Sequence, residues 1–270
     1  MTDDDAPADA RNDEHPDRPW EGYDELADRR PSSGGRSADA DGDGDTPDDG
    51  RGGTDDWASP WGDNPLQRHY SWPATREHVP SLDGSRVLDA GCGVGAHVDW
   101  LLDRGASVVG VDASKRAVER VRERFGDRAT FEQTDLSGSL PFEDGSFDVV
   151  LSHLVLDHVA DLTRAFESFH RVLVDGGVLV FTVVHPFQLF SAYDEVDRYY
   201  EPTPVELGWD APVTTFHRPL SAVLTPLAGA GFRLDRFAEP EPPASYLPLA
   251  NDDWEVQRRP QICVVRATAE

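Results

Sequence analysis

Short apolar runs alternate with amphipathic stretches through the central part of the chain. The runs at 86–90, 107–111, 130–133, 147–152 and 177–184 have the length and composition of buried strands. Apolar positions at helical spacing predict helices between them, at 95–104, 114–125 and 162–173. Strands that alternate with helices predict an α/β protein with a doubly wound, mainly parallel sheet.

The regions on either side of this alternating pattern are predicted differently. A helix is predicted at 65–78, and Pro73 must kink or divide it because proline has no amide hydrogen. Residues 185–214 show no clear period, so this segment is predicted to be irregular. The late elements are a helix at 220–230 and strands at 232–237 and 262–267.

The first 56 residues contain almost no large aliphatic side chains. They hold 19 acidic and 6 basic residues, half of the net charge of the chain, and cannot form a core. We therefore predict a largely disordered N-terminal region, most clearly at 31–56, followed by one folded domain at 57–270. An island at 20–30 (WEGYDELADRR) is different, because it has apolar residues at near-helical spacing.

The whole chain is strongly acidic. It has 51 Asp and Glu against 25 Lys and Arg, a net charge of −26. Such a surface repels polyanions, so we expect no nucleic acid partner. Lys115 is the only lysine, and Asp outnumbers Glu, a bias typical of halophilic proteins. We expect this acidity to serve solvation in concentrated salt rather than substrate recognition.

The cysteine content and the hydropathy of the chain indicate the cellular compartment in which the protein is expected. Cys92 and Cys263 are too few for a disulfide scaffold in a chain of 270 residues. No apolar run approaches the ~18 residues of a membrane span, and the first residues lack the pattern of a signal peptide. The string DADGDGD lacks the Glu that completes a calcium loop, so no metal site is predicted. We expect a soluble cytoplasmic protein with no membrane partner.

A glycine-rich turn carries the candidate chemistry. The first strand leads directly into DAGCGVG (89–95) and then a helix, the arrangement of a nucleotide-binding turn. Gly91, Gly93 and Ala96 also satisfy the dinucleotide pattern, so an NAD(P)-dependent oxidoreductase must be weighed. Asp89 favours another ligand, because a carboxylate there would repel a pyrophosphate but would suit a ligand with an ammonium group.

A second carboxylate lies at the end of the second strand. Asp112 follows Gly91 by 21 positions, the spacing at which an acid binds the ribose hydroxyls of a nucleotide. The alternative role for Asp112 is structural, at the start of a helix that Ser114 could itself cap. The strand-end position favours the ribose role.

Several segments together resemble one enzyme family. VLDAGCGVG, VVGVDAS, the pair Asp135 and Leu136, FDVVLSHLVLDHV and RVLVDGGVLVFT resemble the class I S-adenosylmethionine-dependent methyltransferases. The resemblance is to the small-molecule type related to ubiquinone and menaquinone methyltransferases, and it covers 86–184. It implies a Rossmann-like fold of seven strands, with the last two forming an antiparallel edge hairpin.

The resemblance also implies a set of residues that bind S-adenosylmethionine. The methionine end would lie at the glycine turn, the ribose at the second strand, the adenine after the third, and the methionine and acceptor after the fourth. YDELA is similar to an N-terminal element whose tyrosine closes over the cofactor. In this order the implied residues are Asp89, Gly91, Cys92, Gly93, Asp112, Ala113, Asp135, Leu136, Ser152 and Tyr23.

The candidate catalytic residues are His153 and His185, each just beyond a strand end where open α/β sheets bind ligands. Either would serve as a general base if the acceptor keeps its proton until methyl transfer. Asp157 and His158 are predicted to cap the following helix. The irregular segment is expected to cover the acceptor with Tyr193, Tyr199, Tyr200, Trp209 and His217. The function expected is methylation of a small molecule; a protein that binds S-adenosylmethionine without catalysis remains an alternative.

Overall fold

Five parallel strands form most of a seven-stranded sheet in the computed structural model, which describes residues 22–24, 64–208, 212–250, 256 and 258–270. The parallel strands are β1 (Arg86–Ala90), β2 (Ser107–Asp112), β3 (Thr130–Gln133), β4 (Phe147–His153) and β5 (Leu173–Val184). Their spatial order is β3-β2-β1-β4-β5, so β1 and β4 lie in the middle of the sheet. Both central strands are nearly fully buried, as expected for strands covered on both faces.

An antiparallel pair completes the sheet. β9 (Ile262–Ala269) pairs antiparallel with β5 on one side and with β8 (Phe232–Ala238) on the other. The full order is β3-β2-β1-β4-β5-β9-β8. This confirms the predicted doubly wound, mainly parallel sheet of seven strands with an antiparallel edge hairpin.

Helices cover both faces of the sheet. They are α1 (Trp72–Arg76), α2 (Val98–Leu102), α3 (Lys115–Phe125), α4 (Leu162–Val172), α5 (Pro186–Ala192) and α6 (Leu220–Gly229). Phe166 and Phe169 of α4 pack with Phe147 and Phe181 of the sheet on one face. On the other face, Leu101 of α2 belongs to a second buried cluster.

The first helical region changes from a π-helical turn to an α-helix just before Pro73. Residues Gln67–Ser71 form a π-helical turn that leads directly into α1, and Pro73 is at the start of α1. A wider turn suits this place, because Pro73 has no amide hydrogen to offer the preceding carbonyls. Ser71, the last residue of the π-helical turn, is fully buried.

The prediction that residues 185–214 are irregular is wrong. Helix α5 begins after His185, with Pro186 at its first position, where proline is favoured. Strands β6 (Thr203–Leu207) and β7 (Val213–His217) then pair antiparallel as a separate two-stranded sheet. The hairpin strands are too short to give a strong alternating signal, and their packing against the region after β4 is not visible in sequence.

Two boundaries differ from the prediction, and the first of them lies at the glycine turn. The second helix begins at Val98 rather than 95, because 91–97 is a turn. β5 begins at Leu173 rather than 177.

Some predictions fall on residues that the structure does not describe. These are the predicted domain start at 57, the predicted disorder at 31–56, and the position of Trp209. In the part of the chain that the structure describes, no helix is long and apolar enough to cross a membrane.

Candidate functional site

The glycine turn after β1 is held open by its backbone and by Asp112. Gly91, Gly93 and Gly95 all have positive φ angles, of 86°, 51° and 85°. Asp112 accepts hydrogen bonds from the Gly93 amide at 2.8 Å and from the Ser114 amide at 2.9 Å. Its carboxylate therefore joins the glycine turn to the start of α3. Burial raises the pKa of Asp112, and these two hydrogen bonds oppose that rise.

Close packing requires glycine at position 91. A Cβ atom there would lie 2.3 Å from a methyl group of Val155, in the loop after β4. The positive φ angle independently disfavours any other residue. Cys92 is buried beneath the turn, and burial raises the pKa of its thiol well above the ordinary value. Its amide and that of Gly91 both donate to the Val111 carbonyl.

Asp89 is a buried carboxyl group with an unfilled hydrogen-bonding position. It is 1% exposed at the end of β1, and no described group donates a hydrogen bond to its Oδ2 atom. Burial, together with the charge of Asp112, raises the pKa of Asp89 to about 7. A buried polar atom of this kind is costly unless a ligand satisfies it. The ammonium group of S-adenosylmethionine has the charge and the hydrogens required, so the residues present fit this cofactor.

The N-terminal island contacts the site through Gly22, Tyr23 and Asp24. The Tyr23 hydroxyl is 2.8 Å from His158 Nε2. Asp24 accepts hydrogen bonds from the Ser114 hydroxyl at 2.7 Å and from the Arg116 amide at 3.0 Å. Burial raises the pKa of Tyr23, with smaller contributions from Asp112 and Asp157. Tyr23 therefore lies near the carboxylate predicted to bind ribose; Trp20, Leu26 and Ala27 lie outside the described residues.

The residues predicted to meet adenine lie just after β3. Asp135 is exposed, and its Oδ1 accepts the Ser137 amide hydrogen at 2.8 Å. Leu136 is 4% exposed and belongs to the main hydrophobic cluster. The Ala113 carbonyl accepts a hydrogen bond from the side chain of Gln133. Asp135 therefore lies at the surface, while Leu136 packs mainly inward.

The end of β4 carries a buried polar cluster. Ser152 is fully buried, and its hydroxyl has no partner among the described groups. His153 Nδ1 lies 3.1 Å from His97 Nε2, and His153 Nε2 lies 3.0 Å from the Ser71 hydroxyl. Trp72 stacks on His97 with ring centroids 3.8 Å apart. The next residue, Leu154, has a φ angle of 55°, which is unusual for a residue other than glycine.

Burial keeps both histidines of this cluster neutral. It lowers the pKa of His97 to about 3, and it lowers that of His153 well below the ordinary value, with a further contribution from His97. His153 already has a hydrogen-bond partner at each ring nitrogen. His97 Nδ1, by contrast, is buried without a partner in the described structure.

His185 lies at the start of α5. Its Nδ1 accepts the Phe187 amide hydrogen at 3.1 Å, so it caps the helix. Its Nε2 lies 2.9 Å from Glu239 Oε1, within ion-pair distance but without hydrogen-bond alignment. Burial lowers the pKa of His185, and Glu239 opposes that shift. The structural role of His185 is thus visible in the hydrogen bonds, and a catalytic role stays a prediction.

The predicted capping role of Asp157 and His158 is wrong. Asp161 caps α4, accepting the amide hydrogens of Thr163 and Arg164. Asp157 instead accepts the Val184 amide hydrogen at 2.9 Å, so it ties the β4 loop to the end of β5. Both residues lie in a short 3₁₀ turn, Leu156–His158, and their side chains bond Val184 and Thr214 rather than the amides at the start of α4.

Tyr199, Tyr200 and His217, which were predicted to cover the acceptor, contact one another through Tyr199. The His217 Nε2 hydrogen is donated to the Tyr199 carbonyl at 2.8 Å, and both rings contact Phe190. Tyr200 is 79% exposed and packs edge-on against Tyr199. These contacts join the loop between α5 and β6 to the end of β7.

Sequence reasoning missed Ser71, Trp72, Gly22, Asp24 and His97. His97 carried a sequence signal, because it follows the glycine turn and precedes the apolar residues of α2; Gly22 and Asp24 lie within the island at 20–30 that the sequence singled out. The others meet the site through contacts between residues far apart in the chain.

The seven-stranded sheet, with a glycine turn directly after β1, defines a Rossmann-like fold. Residues 88–181 match the family described as "Methyltransferase domain". A solved S-adenosylmethionine-dependent methyltransferase from Mesorhizobium loti superposes with a TM-score of 0.62 and 28% identity, covering 75% of this chain and 99% of that one. The chain belongs to the class I S-adenosylmethionine-dependent methyltransferases.

Two curated relatives extend the comparison beyond the nucleotide-binding core. An uncharacterized protein from Haemophilus influenzae is 24% identical over 217 residues, covering 72% of this chain and 85% of that protein. An uncharacterized methyltransferase from Synechocystis is 32% identical over 143 residues, covering 49% of this chain and 66% of that protein. The similarity therefore extends over most of the described fold, but these relatives do not identify an acceptor.

Proposed function

We propose that this protein transfers the methyl group of S-adenosylmethionine to a small-molecule acceptor. The observation that carries the proposal is the buried Asp89 carboxylate, whose Oδ2 has no described donor beside a turn of three glycines at positive φ. A nicotinamide dinucleotide would bring a pyrophosphate to this turn, where Asp89 would repel it. S-adenosylmethionine brings an ammonium group instead.

Each predicted cofactor contact has a role in this proposal. The cofactor supplies an electrophilic methyl group on a sulfonium. Asp89 binds the ammonium group, the Asp112 carboxylate accepts from the ribose hydroxyls, and Asp135 accepts from the adenine amine. Gly91, Cys92 and Gly93 let the backbone approach the methionine end, and Tyr23 covers the bound cofactor. Ala113, Leu136 and Ser152 complete the lining.

The main catalytic work proposed for the protein is placement. Methyl transfer needs the acceptor atom in line with the sulfonium and shielded from water. The carboxyl ends of β1 and β4 lie side by side, with Asp89 opposite Leu151 in the register. The acceptor would therefore approach near Ser152 and His153. His153 and His185 remain the proposed general bases, for acceptors that lose a proton during transfer.

The net charge of the chain supports a small acceptor rather than a polyanion. A net charge of −26 disfavours polyanionic acceptors.

We propose that residues 57–270 form the catalytic domain and that the acidic region 1–56 adds the segment containing Tyr23. No described group of His, Cys, Asp and Glu is arranged to hold a metal ion, and the proposal assigns no metal.

Ligand binding tests the proposal directly. S-adenosylhomocysteine should raise the melting temperature and bind in a calorimetric titration, and NADH should do neither. Asp89→Asn should weaken binding of S-adenosylhomocysteine, while Asp127→Asn, at an exposed position, should not. Binding of NADH without S-adenosylhomocysteine would overturn the proposal.

Catalysis and acceptor class need a second experiment. A small-molecule extract incubated with methyl-labelled S-adenosylmethionine should yield a labelled product of low molecular mass. Binding of the cofactor without labelling of any extract component would favour a binding protein without catalysis.

A further inference from the structure

His158 connects two parts of the structure that are distant in sequence. It is the last residue of the 3₁₀ turn after β4. Its Nδ1 atom lies 2.8 Å from the Thr214 carbonyl oxygen of β7, and its Nε2 atom lies 2.8 Å from the Tyr23 hydroxyl. One imidazole ring therefore contacts the N-terminal segment and the β6–β7 hairpin at the same time.

The two contacts fix the protonation of the ring. A backbone carbonyl only accepts hydrogen bonds, so Nδ1 carries the hydrogen that is donated to Thr214. Burial lowers the pKa of His158 to about 4, a shift that the nearby Arg218 reinforces and the bond to Thr214 opposes. The ring is thus neutral at pH 7, and Nε2 accepts the hydrogen of the Tyr23 hydroxyl. The directions of the two hydrogen bonds depend on each other.

Packing joins the same two parts a second time. A Cβ atom at Gly22 would lie 1.9 Å from the Pro212 carbonyl oxygen and 3.0 Å from a methyl group of Val213. The backbone of the N-terminal segment thus lies directly against the start of β7, and only glycine permits the contact.

Asp24 binds the segment to the cofactor side. It accepts the amide hydrogen of Arg116 and the hydroxyl hydrogen of Ser114, whose own amide donates to Asp112. Residues 22–24 therefore extend from the hairpin to the loop of the proposed ribose site.

We propose that His158 is a positioning residue that couples closure of segment 22–24 over the cofactor to the seating of the β6–β7 hairpin. This inference rests on the proposed function, in which Tyr23 covers S-adenosylmethionine. Cofactor binding orders Tyr23, Tyr23 orients the His158 ring, and the ring holds β7 through Thr214. The hairpin then forms the acceptor side of the site only after the cofactor is bound, so that the cofactor binds first.

Two near-isosteric substitutions separate the two contacts of His158. The side-chain amide of asparagine lies near the position of Nδ1, so His158→Asn can still donate to Thr214 but cannot reach Tyr23. The amide oxygen of glutamine lies near the position of Nε2, so His158→Gln can still accept from Tyr23 but loses Thr214. Tyr23→Phe removes the hydroxyl from the other side. S-adenosylhomocysteine is the probe, and hydrogen exchange of Val213–His217 is measured with and without it.

The coupling predicts how the natural protein and each variant respond to the ligand. In the natural protein, saturating S-adenosylhomocysteine should slow exchange in β7 by about fivefold or more, the lower end of ordinary coupling between sites. His158→Gln should bind the ligand with nearly natural affinity but lose this slowing. His158→Asn and Tyr23→Phe should bind it more weakly, and exchange in β7 should not slow even at saturation.

The experiment also distinguishes coupling from a simple structural role. If His158 only stabilises the hairpin, its variants will exchange faster by the same factor with and without ligand, and the proposal is overturned. It is also overturned if the natural protein binds the ligand and β7 shows no slowing. Failure of the natural protein to bind S-adenosylhomocysteine overturns the proposed function itself. If one His158 variant does not fold, the other and Tyr23→Phe still decide the question.

Discussion

Asp89 and Asp112 occupy the ends of adjacent strands but differ in how far their hydrogen-bonding capacity is used. Asp112 accepts two backbone amide hydrogens, which organise the glycine turn and the start of α3. Asp89 retains a buried oxygen without a described donor. Asp112 therefore stabilises the local structure of the site in addition to its proposed contact with the ligand. Asp89 depends on a ligand to donate a hydrogen bond to its buried oxygen.

Replacement of Asp112 tests the ribose contact. Asp112→Ala should weaken binding of S-adenosylmethionine by about 1.5 to 3 kcal/mol, because the hydrogen bonds that the ribose hydroxyls donate to a charged carboxylate are lost. Calorimetric titration measures the change, and Asp127→Ala at an exposed site is the control for charge. Unchanged affinity in Asp112→Ala would contradict the ribose assignment.

The raised pKa of Asp89 predicts a pH dependence of binding. Its pKa of about 7 means that the free protein holds a proton on this carboxyl below neutrality. The ammonium group of the ligand favours the ionised form, so binding lowers the pKa and releases a proton. Affinity for S-adenosylhomocysteine should then rise about tenfold between pH 6 and pH 8.

Calorimetry in buffers of different ionisation enthalpy measures the proton released, about half a proton per ligand at pH 7. Asp89→Asn has no carboxyl to titrate, so its weaker affinity should be nearly independent of pH over the same range. A natural protein whose affinity does not change with pH would rule out this role for Asp89.

At the scale of elements, segment 22–24 depends on one glycine. Gly22→Ala places a methyl group against the Pro212 carbonyl and should prevent docking. We expect binding of S-adenosylmethionine to weaken about tenfold, or about 1.4 kcal/mol, with little change in the melting temperature of the unliganded protein. Truncation of residues 1–30 and Tyr23→Ala should produce most of the same loss.

Gly208→Ala is the matched control, because nothing lies within 4 Å of a Cβ atom built there. Titration and thermal unfolding are measured on the same samples. Natural affinity in both Gly22→Ala and the truncated chain would show that the segment does not cover the cofactor.

The elements that sequence predicted well are those whose pattern is set by burial alone. β1 matches its predicted bounds because a strand covered on both faces is a nearly continuous apolar run. The hairpin of β6 and β7 was missed because its strands pair only with each other and its packing depends on distant contacts. The helix-capping hydrogen bond that His185 Nδ1 accepts from the Phe187 amide was not predicted from sequence, and the role of His185 as a base stays a prediction.

The candidate site shows the same difference between residues that are close in sequence and contacts between distant residues. The glycine turn and Asp112 lie within one continuous strand-turn-helix pattern, so spacing along the chain was enough to find them. The pairing of His97 with His153 and of Tyr23 with His158 joins residues 56 and 135 positions apart. No local pattern could contain those contacts.

At the scale of the whole molecule, the acidic surface predicts a response to salt. A net charge of −26 repels itself, and molar salt shortens the Debye length to about 3 Å. The melting temperature should therefore rise steeply with potassium chloride, and low ionic strength should favour unfolding. Thermal unfolding across a salt series measures this effect; a melting temperature independent of salt would remove the halophilic interpretation.

The start of α3 also offers a natural place for a reporter group. Lys115 is the only lysine in the chain, and its side chain is 69% exposed. Its neighbour Arg116 donates the amide hydrogen that binds Asp24. Apart from the α-amino group, an amine-reactive fluorophore would thus label a single position, immediately beside the docking point of segment 22–24. The emission of that dye would follow opening and closing of the segment in solution without any engineered residue.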